Sequence, residues 1–195
     1  MATKLRPYYT VEEYLALERE ADHKSEYLAG QIYAMAGGSP QHNQIGFNLI
    51  TALGVQLLGG HCRGYTSDQR VLADELYTYP DITVVCGEPR FEEGDPGTLT
   101  NPTLLVEVLS ASTEAYDRGD KFAHYRRIES LQEYVLVSQA KPHIERFLRR
   151  DDGEWLFTAV EGLEATLRMT SIGCELRLAQ VYDRVEFEGE PPAKA

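Results

Sequence analysis

The stretch TLLVEVLS at residues 103–110 limits the possible folds of this chain more than any other. Leu104, Leu105, Val106, Val108 and Leu109 leave no polar side, the pattern of a strand covered on both faces. Strands of that kind sit inside layered α/β architectures. In the middle of the run stands Glu107. An ionised carboxylate inside a sheet costs several kcal/mol even after relaxation. It must meet a cation, bind a metal or keep its proton, and an ordinary salt bridge to a nearby Arg or Lys is the simplest of these.

The rest of the chain supplies the layers. Thr10 followed by VEEYLALERE reads as a capped helix with Glu13 closing a capping box. EYLAGQIYAMAG (26–37) reads as a hairpin about Gly30. Ser39 and Pro40 open a helix that puts Ile45, Leu49, Leu53 and Leu57 in one row and stops at Gly59-Gly60. Strand-like runs follow at 61–73 and 76–86, then a loop at 87–102, the buried strand, and a helix from 114 to 128. EYVLVSQ, HIERFLRR and EWLFTAVE are three more strands, LRLAQVYDRVEF a last helix, and EGEPPAKA a frayed tail. A helix between TLLVEVLS and EYVLVSQ implies a right-handed crossover with those two strands parallel. The expectation is one domain over 1–188, a mixed sheet flanked by helices, with a flexible tail at 189–195.

Composition narrows the class. Of 195 residues 43% are hydrophobic, enough for a real core. No apolar run is long enough to span a membrane, and MATKLRPYYTVEEY has no signal-peptide h-region. Cys62, Cys86 and Cys174 show no CxxC spacing and read as reduced core thiols of a cytoplasmic protein, not as a disulfide frame or zinc site. The formal charge of −12 argues against a nonspecific polyanion binder. Residues 118–150, however, hold eight Lys/Arg against four Asp/Glu, a local +4 that leaves −16 elsewhere. That stretch is a candidate phosphate-facing surface; an ordinary solvated helix and strand is the alternative.

A second acid, Asp81, follows Pro80 at the mouth of the strand DITVV. Asp117, Lys121, Tyr125 and Ile128 share one side of the helix that follows the Glu107 strand, which turns Lys121 inward. Two acids at neighbouring strand ends with an ammonium beside them can hold a hard, oxygen-loving cation and orient a water. A lysine bonded only to Asp117 or Glu107 is the bland alternative.

PD before an apolar strand, EVLS, then D…K…Y and EYVLV together resemble the Uma family of restriction-endonuclease-like proteins, a branch of the PD-(D/E)xK nuclease superfamily. The resemblance spans roughly residues 8–185 and implies a restriction-endonuclease-like fold. It implies Asp81 and Glu107 as the paired acids, with Lys121 on the following helix in place of the motif's usual lysine, where this chain has Leu109. Glu26 in SEYLAGQ matches a further metal-holding acid. His42 in SPQHNQ and Gln69 in SDQRV fall at positions the family pattern favours for substrate contact, though a surface or core histidine is the plain reading of His42. Arg118, which opens the basic stretch, is the candidate for backbone phosphates. The implied activity is magnesium-dependent phosphodiester hydrolysis, with manganese as a substitute, DNA as substrate and a homodimer to cut both strands. A nuclease-fold module without activity, binding nucleic acid or serving as a scaffold, and a metal-free ion network are the rivals.

Overall fold

The computed structural model describes residues 8–187; the expected tail at 189–195 lies outside them. Helix α1 (Val11–Glu20) starts at the expected capping box of Thr10 and Glu13. Strands β1 (Ser25–Leu28) and β2 (Gln31–Ala34) form the expected hairpin, whose turn needs a positive φ at Gly30. Helix α2 (Pro40–Leu57) has Ser39 as N-cap, its side chain accepting from the His42 amide, and Pro40 in the first turn.

The run expected as one strand at 61–73 is two, β3 (Cys62–Thr66) and β4 (Arg70–Ala73), and 76–86 divides into β5 (Leu76–Thr78) and β6 (Ile82–Cys86). The segment 87–102, expected as loop, contains β7 (Phe91–Glu92) and β8 (Asp95–Leu99). β8 is held by parallel pairing with β4, a contact remote in sequence that overrides the turn-forming residues around it. Next come β9 (Leu104–Leu109), β10 (Glu133–Ser138), β11 (His143–Arg149), β12 (Trp155–Glu161), β13 (Thr166–Met169) and β14 (Cys174–Arg177). The helix expected over 176–187 shrinks to α5 (Leu178–Val181), because the period-two alternation of Cys174, Glu175, Leu176 and Arg177 belongs to the β13–β14 hairpin.

Two sheets of six strands result, one ordered β12-β11-β10-β9-β6-β3 and the other β2-β1-β5-β4-β8-β7. In the first, β9 and β10 are parallel, as expected, and the remaining pairs antiparallel. All six residues of β9 are buried. Val106 and Val108 face α2, α5 and the β13–β14 hairpin, packing with Ile45, Leu49 and Leu176. Leu105 and Leu109 face the other way, toward Tyr125, Ile128 and the second sheet's Val71, Leu76 and Leu99. Alternation along a strand therefore puts Glu107 on this second face.

The expected helix at 114–128 is shorter and internally irregular. α3 (Glu114–Tyr116), a π-helical turn (Asp117–Lys121) and α4 (Phe122–Tyr125) follow one another without a break. One extra residue per turn widens the helix at Asp117–Lys121, a feature common at functional sites. The reading of three reduced thiols is corrected. Cys62 and Cys86 are directly opposite across β3 and β6 and form a disulfide, while Cys174 is free and buried. The pairing arises from sheet register, which has no signature in cysteine spacing.

Candidate functional site

The site forms where β6 and β9 meet the π-helical turn. Ile82 pairs with Val106 in antiparallel register, so the next step along the two strands brings Asp81 opposite Glu107. Asp81 Oδ2 accepts from the Val108 amide at 2.7 Å and lies 3.3 Å from His42 Nε2. One carboxylate oxygen is thus fixed by the sheet and by the first turn of α2, leaving Oδ1 for another ligand.

Lys121 reaches in from the π turn, its side chain 6% exposed. Its Nζ is 2.9 Å from Glu107 Oε1, 3.2 Å from Glu26 Oε1 and 3.5 Å from Asp117 Oδ1. The Tyr125 hydroxyl donates to Glu107 Oε1 at 2.7 Å, and Thr78 donates to Glu26 Oε1. Asp117, expected from the sequence only as a possible partner of Lys121, lies one helical turn before it on the same side. Thr78 and Tyr125 are also part of the cluster; Tyr125 was visible only as a core position, and Thr78 gave no signal.

The charges do not balance. One ammonium faces the three carboxylates of Glu107, Glu26 and Asp117, with Asp81 beside them. Burial pushes Glu107 up to about 8, with Asp81 and Asp117 adding to the shift against the pull of Lys121 and the Tyr125 hydroxyl. Burial likewise raises Asp117. Burial disfavours the charge on Lys121, but Glu107, Glu26 and Asp117 together outweigh it and hold the amine well above the ordinary lysine value. Lys121 is therefore held as a cation, and the surplus of acid favours the protonated form of Glu107. The hydrogen bond to Asp81 raises His42, against a smaller opposing effect of burial.

Not every candidate joins this cluster. Gln69 spends its amide on the Arg70 and Gly97 carbonyls, which fixes the turn between β3 and β4. Arg118 is held by Glu114 at 2.9 Å and by Glu145. The cations of the basic stretch are largely paired, mostly with acids outside it. Arg127 pairs with Asp74, Lys141 with Glu161, Arg146 with Glu133 and Arg150 with Asp152, and Arg149 donates to the Arg126 and Glu129 carbonyls. Leu109, in the place of the usual lysine, is 4% exposed and belongs to the core.

A family model described as "Putative restriction endonuclease", Uma2, matches residues 11–179, a span that contains every residue of the cluster. The chain belongs to the Uma2 family. Two Synechocystis proteins, each called an uncharacterized protein, are similar over most of their length. One, slr1290, is 40% identical over 183 residues, 93% of this chain and 95% of its own; the other, sll1609, is 37% identical over 163 residues, 83% and 92%. A crystal structure from Anabaena variabilis, described as a "putative nuclease belonging to DUF820", superposes with a TM-score of 0.73 at 19% identity. It covers 89% of this chain and 97% of its own, and at that identity it establishes the fold. This Uma2 protein therefore has the restriction-endonuclease-like mixed α/β fold. None of its helices among the described residues is long and apolar enough to cross a membrane.

Proposed function

We propose that this Uma2 protein is a magnesium-dependent endonuclease that hydrolyses DNA phosphodiester bonds. The observation that carries the reading is the unbalanced charge of the cluster, one lysine among three carboxylates with a fourth alongside. The donor set fits the ion: carboxylate oxygens are hard ligands, and magnesium needs only one or two of them beside water and phosphate. Asp81, Glu107 and Glu26 would hold it, with manganese as a substitute. When bound, the ion supplies positive charge to the phosphate and lowers the pKa of a coordinated water.

The chain's own groups do the rest. Val108 and His42 fix Asp81 so that its second oxygen is presented in one orientation. Glu107, whose carboxyl is raised by burial, would release its proton to solvent on serving as a ligand. Lys121, held as an ammonium, donates hydrogen bonds and orients the attacking water instead of deprotonating it. His42, partly exposed at the start of α2, is the side chain placed to meet a phosphate oxygen. Arg118 would have to leave Glu114 or Glu145 to do the same. DNA as substrate, a homodimer acting on both strands and a cytoplasmic location complete the proposal.

Two observations favour a second reading, a nuclease-fold module that binds nucleic acid without cutting it. Leu109 takes the motif lysine's place in the core, and Lys121 already has three acidic partners. A cleavage assay separates the two. The full chain is incubated with supercoiled plasmid, single-stranded DNA and RNA, each with magnesium, manganese or chelator. The proposal expects ion-dependent cutting of DNA that Asp81→Asn and Lys121→Ala both abolish while circular dichroism shows folded protein. Absence of cutting on every substrate, or cutting that survives Asp81→Asn, contradicts it.

A further inference from the structure

A second group of ligand atoms lies at the other end of β6, about 13 Å along the strand from Ile82 at the usual rise per residue. His61, Cys62 and Cys86 offer one donor atom each, all within 4.8 Å of one another. His61 Nε2 is 3.5 Å from Cys62 Sγ. Cys62 and Cys86 are register partners with Cα atoms 3.9 Å apart. Both backbones are fixed from outside the pair. The Gly87 amide donates to the His61 carbonyl at 3.0 Å, and the Cys86 amide donates to Thr103 Oγ1 at 2.9 Å. β3 is the edge of its sheet, so one side of the group is open. His61 is exposed, Cys86 half-buried and Cys62 buried.

We propose that the reduced form of this group is a three-donor site for one thiophilic divalent cation of the zinc class, and that the disulfide is its metal-free oxidised form. Two thiolates and an imidazole are the soft and borderline donors that zinc selects, whereas magnesium selects the carboxylate cluster. Zinc–sulfur bonds of ~2.3 Å and zinc–nitrogen bonds of ~2.0 Å place tetrahedral donors roughly 3.5 Å apart. His61 Nε2 and Cys62 Sγ already lie at that spacing, and the two sulfurs, bonded in the disulfide, reach it by rotation about their side-chain bonds once the S–S bond is open. Water takes the fourth position. The sequence hid the site because its donors come from two strands, without the paired-cysteine spacing of a zinc motif.

The chemistry balances with an external reductant. An alkyl phosphine attacks one sulfur and breaks the S–S bond. Water supplies the oxygen of the phosphine oxide and the two protons of the thiols, and phosphorus supplies the two electrons. The cation then displaces both thiol protons, while neutral His61 binds through a ring nitrogen lone pair without losing a proton. Either form, disulfide or metal-bridged dithiolate, ties the edge strand β3 to β6.

The test uses the full chain, reduced with phosphine and freed of excess, titrated with cobalt(II) and then zinc. One equivalent of cobalt should give thiolate-to-metal charge-transfer absorption with tetrahedral ligand-field bands, and one equivalent of zinc should erase both. The oxidised protein should give neither, a control that needs no substitution. Cys174→Ser should leave the titration unchanged. His61→Ala and Cys86→Ser should each weaken binding by at least about 10-fold, the scale on which even outer-sphere changes act. No thiolate–cobalt absorption in the reduced protein, the same absorption in the oxidised protein, or full affinity in His61→Ala overturns the proposal. The readout involves neither DNA nor magnesium, so its failure would leave the nuclease reading standing, and the reverse also holds.

Discussion

Two buried ionic groups in this molecule have similar chemistry and opposite electrostatics. Arg70 and Asp95 pair at 2.6 Å, both side chains 7% exposed. The rest of the guanidinium is used by Thr98 Oγ1 at 2.7 Å and the Tyr79 hydroxyl at 3.0 Å. One cation meets one anion. Burial by itself raises Asp95, but Thr98 and Arg70 outweigh it and leave the carboxyl below its ordinary value. In the cluster around Lys121 one cation meets three acids, and Glu107 is pushed up to about 8 by burial. A balanced pair is complete and acts as a staple between β4 and β8. An unbalanced one is left with negative charge that a proton or a divalent ion must offset.

The contrast can be broken in several places, beginning with the largest effect. Asp81→Asn and Lys121→Ala should lower magnesium-dependent cleavage by at least about 10³-fold, the upper range for removing one electrostatic group from a reacting centre. Arg70→Ala should leave the intrinsic cleavage chemistry in place but destabilise the fold by about 3–5 kcal/mol, the cost of stranding a buried partner; urea unfolding measures it. If Arg70→Ala instead removed activity without loss of stability, the division between staple and site would fail.

A smaller effect concerns pH. Burial pushes Glu107 up from the ordinary 4.5 to about 8, so between those values the folded chain retains a proton that the unfolded chain has lost. Metal-free stability should therefore fall as pH rises from about 4.5 to about 8 and level off above. Glu107→Gln should flatten that slope and be the more stable protein at pH 8, by roughly 1–3 kcal/mol. A slope unchanged by the substitution would assign the proton to another acid. The smallest effect is expected at Arg118, whose partners Glu114 and Glu145 are both on the protein. Arg118→Ala should change stability by less than about 1 kcal/mol, and a large loss of DNA affinity would show that this arginine exchanges partners to meet phosphate.

The sequence revealed the parts of this site that obey local rules. An apolar run broken only by Glu107 marked β9 as doubly covered, and the row Asp117, Lys121, Tyr125, Ile128 placed the lysine inward; all four residues of that row are buried. Caps at Thr10 and Ser39 located the starts of two helices. What stayed hidden depends on contacts far apart in the chain. β8 exists because β4 pairs with it, and the disulfide because Cys62 and Cys86 share a register. The net charge of residues 118–150 suggested a free basic surface, yet most of its cations find acids supplied by other elements. The π turn that carries Lys121 shifts backbone hydrogen bonding by one residue, a change that side-chain periodicity does not report.

Calorimetric titration of the full chain with magnesium near pH 7, repeated in buffers of different ionisation enthalpy, tests the claim that a divalent ion takes the place of Glu107's proton. The account predicts saturable binding with close to one proton released per ion, together with a rise in melting temperature, and loss of both in Asp81→Asn. Binding without proton release, equal binding by Asp81→Asn, or no binding and no thermal shift at millimolar magnesium or manganese would contradict it.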